Sequence, residues 1–361
     1  MTQHPRLADA TQLLRRLIAT PSPSNEEAAT ADILFDWLAE RGAAPERFHN
    51  NVIAVAPGFD PALPVLMLNS HHDTVKPSPS YTRNPYEPVL EDDRLYGLGS
   101  NDAGASLVSL ACTFVDYIAN PPASPRFNLV LALSATEERM GPEGMRALLP
   151  HLEERGMKPD MVIVGEPTSM QPAIAERGLL VFDGETPGVS GHAARNEGVN
   201  AIYRAMEDID ALRRFSPERV SKVLGPIKVS VTGIQAGTQH NVVPDICRFV
   251  VDVRTTDAYT NPETVELLRA VVTHSRLTPR STRVQASVIA DDHPLVRSAV
   301  ALGLTPFVSA TTSDRALMHG IPALKIGPGE SSRSHTADEF VLISELNSAL
   351  LIYPQILNNL Q

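Results

Sequence analysis

The chain has 361 residues, 31 basic against 42 acidic, for a formal net charge of −11, a balance that argues against nucleic acid or an anionic membrane as partner. With 43% hydrophobic and 20% charged residues it reads as globular, and no apolar run approaches the roughly 18 residues of a membrane span. Its two cysteines, Cys112 and Cys247, exclude a disulfide framework and the usual thiolate metal sites.

Near the N-terminus, Leu13-Leu14 and Leu17-Ile18 are split by Arg15-Arg16, which makes an amphipathic helix instead of a signal-peptide core. A cytoplasmic protein is expected. Pro21 and Pro23 stop that helix, and Ser24-Asn25-Glu26-Glu27 has the Ser-x-x-Glu form of a capping box for a second helix through Leu38. Strands are expected near 52–56 and 65–68, then a helix over 105–117, a strand over 127–134, a helix over 145–155 and a strand over 161–164. This alternation is an α/β order.

The texture changes between about 178 and 289. A strand at 179–185 precedes a helix over 198–214, in which Ile202, Met206, Ile209 and Leu212 recur at helical spacing. Strands at 227–234 and 247–254, a helix after Asn261-Pro262 and a last strand at 283–289 complete a β-α-β-β-α-β order, with 276–282 read as surface loop. That is the split motif of a ferredoxin-like sandwich. Because an apolar strand at 322–326 resumes the first texture, two domains are expected: 1–177 with 290–361, and an inserted 178–289.

Four apolar runs end on residues that ligate metals. Val65-Leu66-Met67-Leu68 leads to Ser70-His71-His72-Asp73, and Leu129-Val130-Leu131-Ala132-Leu133 to Thr136-Glu137-Glu138. Met161-Val162-Ile163-Val164 leads to Gly165-Glu166, and Ala323-Leu324-Lys325-Ile326 precedes Ser334-His335. Parallel sheets carry their chemistry at the strands' carboxyl ends, so these groups would converge on one edge. With Asp102 of the Gly-rich Leu98-Gly99-Ser100-Asn101-Asp102 stretch, the set suits two metal ions sharing a carboxylate, as in a hydrolase.

Within the set, residues i and i+2 of a strand share a face, so Asp73 is placed to orient His71, which is preferred over His72 as ligand. Glu138 is assigned to metal and Glu137 to acid/base work, since a proton shuttle must stay free of the ion. Each motif has a plainer reading. His71-His72-Asp73 can be a polar turn, Glu137-Glu138 a solvated helix start, Asp102 a helix N-cap, and His335 an exposed loop histidine.

Together these residues resemble the dinuclear zinc amidohydrolases and peptidases of the M20 type, which include acetylornithine deacetylase, succinyl-diaminopimelate desuccinylase, aminoacylase and glutamate carboxypeptidase. The resemblance runs from Leu13 to Phe340 and is nearest to the bacterial acetylornithine deacetylase branch, through Asn69-Ser70-His71-His72-Asp73-Thr74-Val75-Lys76 and Gly237-Thr238-Gln239-His240-Asn241-Val242-Val243-Pro244. It implies a mixed-sheet α/β zinc-peptidase domain with a ferredoxin-like α+β lid and dimerisation domain inserted into it. It also implies two Zn2+, with cobalt able to substitute: His71 and Glu166 on one, Glu138 and His335 on the other, Asp102 bridging, and Glu137 as acid/base.

In the lid, His192 of Gly191-His192-Ala193-Ala194 matches a histidine that stabilises the tetrahedral intermediate from the partner subunit of a homodimer. Asn241 matches a substrate contact, Arg254 a carboxylate clamp, and Arg177, less closely, a further substrate residue. Ser70 and Gly104 depart from the family's usual Gly and Lys, which touches substrate preference and no ligand. The implied reaction is deacylation of an N-acyl amino acid, N-acetyl-ornithine or its N-succinyl counterpart, in arginine biosynthesis. A dipeptidase or carboxypeptidase on the same site, and an inert metal-dependent binding protein, are the alternatives.

Overall fold

The computed structural model describes residues 2–195 and 197–360. The chain divides into two compact units, Met1–Ile174 with Ile289–Phe307 and Ser313–Gln361, and Ala175–Val288 with Val308–Thr312.

At the centre of the first unit four parallel strands lie in the order Asn128–Ser134, Val65–His71, Met161–Val164 and Ala323–Lys325. Asn51–Val55 and Glu46–Phe48 extend the sheet antiparallel on one side, and Ala173 pairs antiparallel with Lys325 on the other. The sheet is therefore mixed. Strand residues alternate between its faces: Leu66, Leu68, Leu129, Leu131 and Leu133 pack with helices Leu7–Ile18, Ala28–Ala39, Ala105–Ala119 and Ile343–Leu360. Val65, Met67, Val130, Ala132 and Val162 pack with Met145, Leu148 and Leu152 of helix Met145–Glu154. Leu131 is fully buried, and truncating such a side chain to Ala typically costs about 2–5 kcal/mol. The strand ends that carry the chemistry are thus held by a packed two-sided core.

Ser100–Ala119 is long and apolar enough to match a membrane span, but its residues 105–115 are buried, and this helix is a core element of the first unit. A small antiparallel sheet, Val89–Glu91, Arg94–Tyr96 and Phe340–Leu342, adds a second layer that brings Glu339 to Gly97 through a 2.9 Å backbone hydrogen bond.

In the second unit an antiparallel sheet has the order Lys228–Ala236, Ile246–Thr255, Gly178–Pro187, Arg276–Pro279. Helices Ala201–Arg213 and Asn261–Val271 complete the β-α-β-β-α-β order. The last strand is Arg276–Pro279 and not 283–289. Leu277 turns inward there, while Ser287–Val288 pairs with Ala175 and Glu176 instead.

The inner face of helix Ala201–Arg213 also differs from its periodicity: Ala201, Ala205, Asp208 and Leu212 are buried and Met206 is 58% exposed. Asp208 goes inward because its carboxylate accepts the backbone N–H groups of Thr273, His274 and Ser275. A capping box does occur, but at Thr260 and Glu263, before Asn261–Val271. Ser24 caps nothing; helix Ala28–Ala39 starts after Glu27 without a side-chain cap.

Candidate metal centre

Parallel pairing of Val65–His71 with Asn128–Ser134 sets His71 opposite Ser134, so the two following loops open on the same edge. His71 Nδ1 faces the Asp73 backbone carbonyl at 3.0 Å and the Asp73 carboxylate at 3.5 Å. A proton held on Nδ1 by these acceptors leaves Nε2 to ligate. Nε2 lies 3.4 Å from Asp102 Oδ1 and 3.8 Å from Glu166 Oε1. His72 turns away to Thr30 Oγ1 and the Asn50 carbonyl, both at 2.9 Å, and burial pushes its pKa down to about 4.

The second oxygen of Asp102 faces a different set. Oδ2 lies 3.6 Å from His335 Nε2, which reaches the two Glu138 oxygens at 2.9 and 3.1 Å. Two groups of ligand atoms result, His71 with Asp102 and Glu166, and Asp102 with Glu138 and His335, the atoms in each within 4.8 Å of one another. Three donors each, with Asp102 common to both, leave coordination positions open, which is the pattern of catalytic zinc sites.

The electrostatics fit cations in both sets. Burial and the neighbouring Asp102 and Glu138 push Glu166 up to about 8, against His71 and Lys325. Glu137 is raised well above the carboxylate range by burial, with Glu166, Asp314 and Glu138 adding to it. Burial would depress His71, but hydrogen bonds to Asp102 and Asp73 and the charges of Glu137 and Glu166 outweigh it and raise its pKa. Hydrogen bonding to Glu138 raises His335 to about 9. Crowded buried acids that hold protons only because their charges repel one another are what divalent cations would relieve.

Glu137 begins the 3-10 turn Glu137–Arg139, which carries both acids; Glu137 is 8% exposed, and its Oε2 lies 3.9 Å from His71 Nε2. Asp73 holds this turn by accepting the backbone N–H of Glu137 at 2.9 Å and of Glu138 at 3.2 Å. Ser24 donates to the same carboxylate at 2.7 Å. Glu27, expected to face Ser24, instead accepts the N–H of Asn25 and of Thr136.

Asp102 is no helix cap: it has φ −116 and ψ 98, and helix Ala105–Ala119 begins after Gly104. Its loop is shaped by Gly99, at φ 74, and by Glu339, which accepts the N–H groups of Gly99, Asn101 and Asp102 at 3.1, 2.8 and 2.9 Å. Glu339 and Asp314 were invisible in the sequence. Asp314 is buried and accepts from Ser134 Oγ at 2.7 Å. Both act on backbone or hydroxyl groups and end no apolar run; the only hint for Glu339 is its place just before the buried strand Phe340–Leu342.

The other candidates lie in the second unit. His192 is exposed and pairs with Val242, and Asn241 accepts the Ala193 N–H at 3.0 Å, so His192 and Asn241 share one small ribbon. Arg254 and Arg177 are not part of it. Ile246 opens the strand that Arg254 nearly closes, roughly 27 Å away at about 3.4 Å per residue. Arg254 is held by Asp252 at 2.8 and 3.1 Å. Arg177 donates to the carbonyls of Pro226 and Leu224, and burial lowers its pKa.

Residues 67–359 match peptidase family M20/M25/M40. The chain belongs to this family. It is a metal-dependent amidohydrolase, and the M20 fold covers it almost from end to end. Succinyl-diaminopimelate desuccinylase of Delftia acidovorans is 26% identical over 97% of this chain and 97% of its own length. Among solved structures, aminopeptidase PepT of Bacillus cereus has a TM-score of 0.78 at 18% identity, covering 98% of both chains. The YXEP protein of Bacillus subtilis, a dinuclear metal binding peptidase, has a TM-score of 0.70 at 17% identity over 97% of both.

Proposed function

We propose that this M20 chain hydrolyses the amide bond of N-acylated amino acids at a pair of zinc ions. The observation that carries the reading is Asp102, whose two oxygens face separate His/carboxylate sets beside the buried Glu137. When bound, the ions supply Lewis acidity, lowering the pKa of water and polarising the scissile carbonyl. His71, Glu166 and Asp102 would hold one, and Glu138, His335 and Asp102 the other. Glu137 takes a proton from the attacking water and returns it to the amide nitrogen as the C–N bond breaks, giving a carboxylate and a free amine. Asp73 positions His71 and fixes the turn that carries both glutamates.

The second unit serves in this proposal as lid and dimer contact. Edge strand Lys228–Ala236 and the exposed Tyr203, Met206 and Ile234 support a homodimer. His192 would stabilise the developing oxyanion from the partner subunit, with Asn241 contacting substrate. Arg254, ion-paired with Asp252, and Arg177, bonded to the carbonyls of Pro226 and Leu224, stay candidate substrate contacts in this reading. A cytoplasmic location belongs to the same reading and goes with two buried free cysteines.

The desuccinylase relatives favour N-succinyl-diaminopimelate as substrate, and the sequence motifs around His71 and Asn241 favour N-acetyl-ornithine as a second reading. Purified protein loaded with zinc or cobalt and given both compounds, together with di- and tripeptides, tests the proposal. Higher kcat/KM on acylated amino acids than on peptides supports it, and the reverse would make the enzyme a peptidase.

A further inference from the structure

Pro23, Ser24, Thr74, Val75, Lys76, Glu138 and Arg139 line a cavity of about 230 Å3. One wall follows His71 and the other follows Ser134, and because those strands pair in parallel the two loops flank the same crevice. Glu138, one of the candidate metal ligands, lies in the wall, so the cavity adjoins the reaction centre. Lys76 and Arg139 are exposed at its lip.

Glu138 is taken by His335 and not by Arg139, the next residue in the chain. Among the described residues neither Lys76 nor Arg139 makes a hydrogen bond or ion pair, and buried Thr74 Oγ1 has no partner either. In a chain with 42 acidic and 31 basic residues, two uncommitted cations beside a metal ligand are conspicuous. Arg254, which the sequence nominated as a carboxylate clamp, pairs with Asp252, and Arg177 donates to the Pro226 carbonyl.

We propose that Lys76 and Arg139 form an anion subsite that binds a carboxylate of the substrate flanking the scissile amide, and so set which acylated amino acids are cleaved. The assignment rests on the amide-hydrolysis reading above. A guanidinium offers paired N–H donors in the plane of a carboxylate, and an ammonium adds a mobile point charge. The carboxylate has two possible sources, the far end of a dicarboxylic acyl cap or the α-carboxylate of the amino acid. A plain acetyl cap on an α-amide offers neither.

The test compares the wild-type enzyme with K76M, R139Q and the double variant, all checked for full metal content. The substrates are an N-succinyl amino acid, its N-acetyl counterpart and the N-acetyl amino acid α-amide. A selective fall of about tenfold or more in kcat/KM, carried by KM, is expected for the double variant, the scale of a lost hydrogen bond to a charged group. Loss confined to the succinyl compound assigns the cap carboxylate, and loss on both acids relative to the amide assigns the α-carboxylate. Equal change on all three substrates, or none, overturns the subsite. Wild-type enzyme with full metal that cleaves none of them overturns the amide-hydrolysis reading instead.

Discussion

Glu339 accepts the backbone N–H of Asp102 at 2.9 Å, and the same carboxylate takes the N–H groups of Gly99 and Asn101. The loop that presents the shared oxygens to both ligand sets is therefore tied to a buried acid that grips its backbone and supplies no ligand atom to either set. Glu339→Ala would strand three donors in a buried place, at about 1–3 kcal/mol for each that water cannot reach. A lower melting temperature and weaker metal retention on dialysis are expected. Unchanged metal affinity would show that Asp102 keeps its place unaided.

Glu137 and Glu138 are neighbours with separate tasks. Glu137→Ala should retain both metals while losing about 10²–10⁴ in turnover, the usual cost of removing a general base. Glu138→Ala should lose metal. Metal content of the two purified proteins decides between them, and a metal-depleted Glu137→Ala enzyme would reverse the roles.

Asp73 gathers the Ser24 hydroxyl, two turn amides and His71, so Asp73→Asn would present an N–H where acceptors are needed. Metal affinity should fall about 10–100-fold, as for other groups that orient ligands. Ser24→Ala removes one of these donors and should weaken metal binding less, without unravelling helix Ala28–Ala39. Selective loss of helix content on mutating Ser24 would restore its role as a cap.

Metal uptake should release protons. With Glu166 at about 8 and His71 raised, both hold protons at pH 7 in the metal-free protein and must lose them to ligate. His335, raised to about 9, must do the same, so apparent affinity should climb with pH up to about 9. Calorimetric titration with zinc in buffers of different ionisation enthalpy measures the release; identical heats in all buffers would contradict it.

His192 lies in the second unit, on the exposed ribbon with Asn241, while the candidate ligands lie in the first. If it completes the partner's site, mixing Glu137→Ala with His192→Ala under conditions that exchange subunits creates hybrids with one doubly defective and one intact site. Activity should return from two inactive parents. A mixture that stays inactive places His192 in its own subunit's chemistry or outside the chemistry altogether.

What the sequence revealed and what it hid follow from one distinction. His71, Glu138, Glu166 and His335 stand after apolar runs, and parallel pairing carries such positions to one edge, so pattern alone could nominate them. Glu339, Asp314 and Ser24 act by accepting or donating single hydrogen bonds across long chain separations, and an acid or serine doing so looks like any other. The inner face of helix Ala201–Arg213 was misread for a related reason. Its hydrophobic spacing favoured Met206, but Asp208 had three backbone amides to satisfy and went inside. Arg276–Pro279 was taken for loop because a single buried Leu277 in a short polar stretch carries little periodicity.

Strand order also gives the centre a history. Synthesis from the N-terminus delivers His71, Asp102, Glu138 and Glu166 first, then the whole second unit, and only afterwards Ala323–Lys325 and His335. A growing polypeptide can assemble the ligands of one ion long before it owns the last ligand of the other. If both sets hold ions, the second set is incomplete until His335 has been made, and a product truncated before His335 would keep the ligands of the first set only.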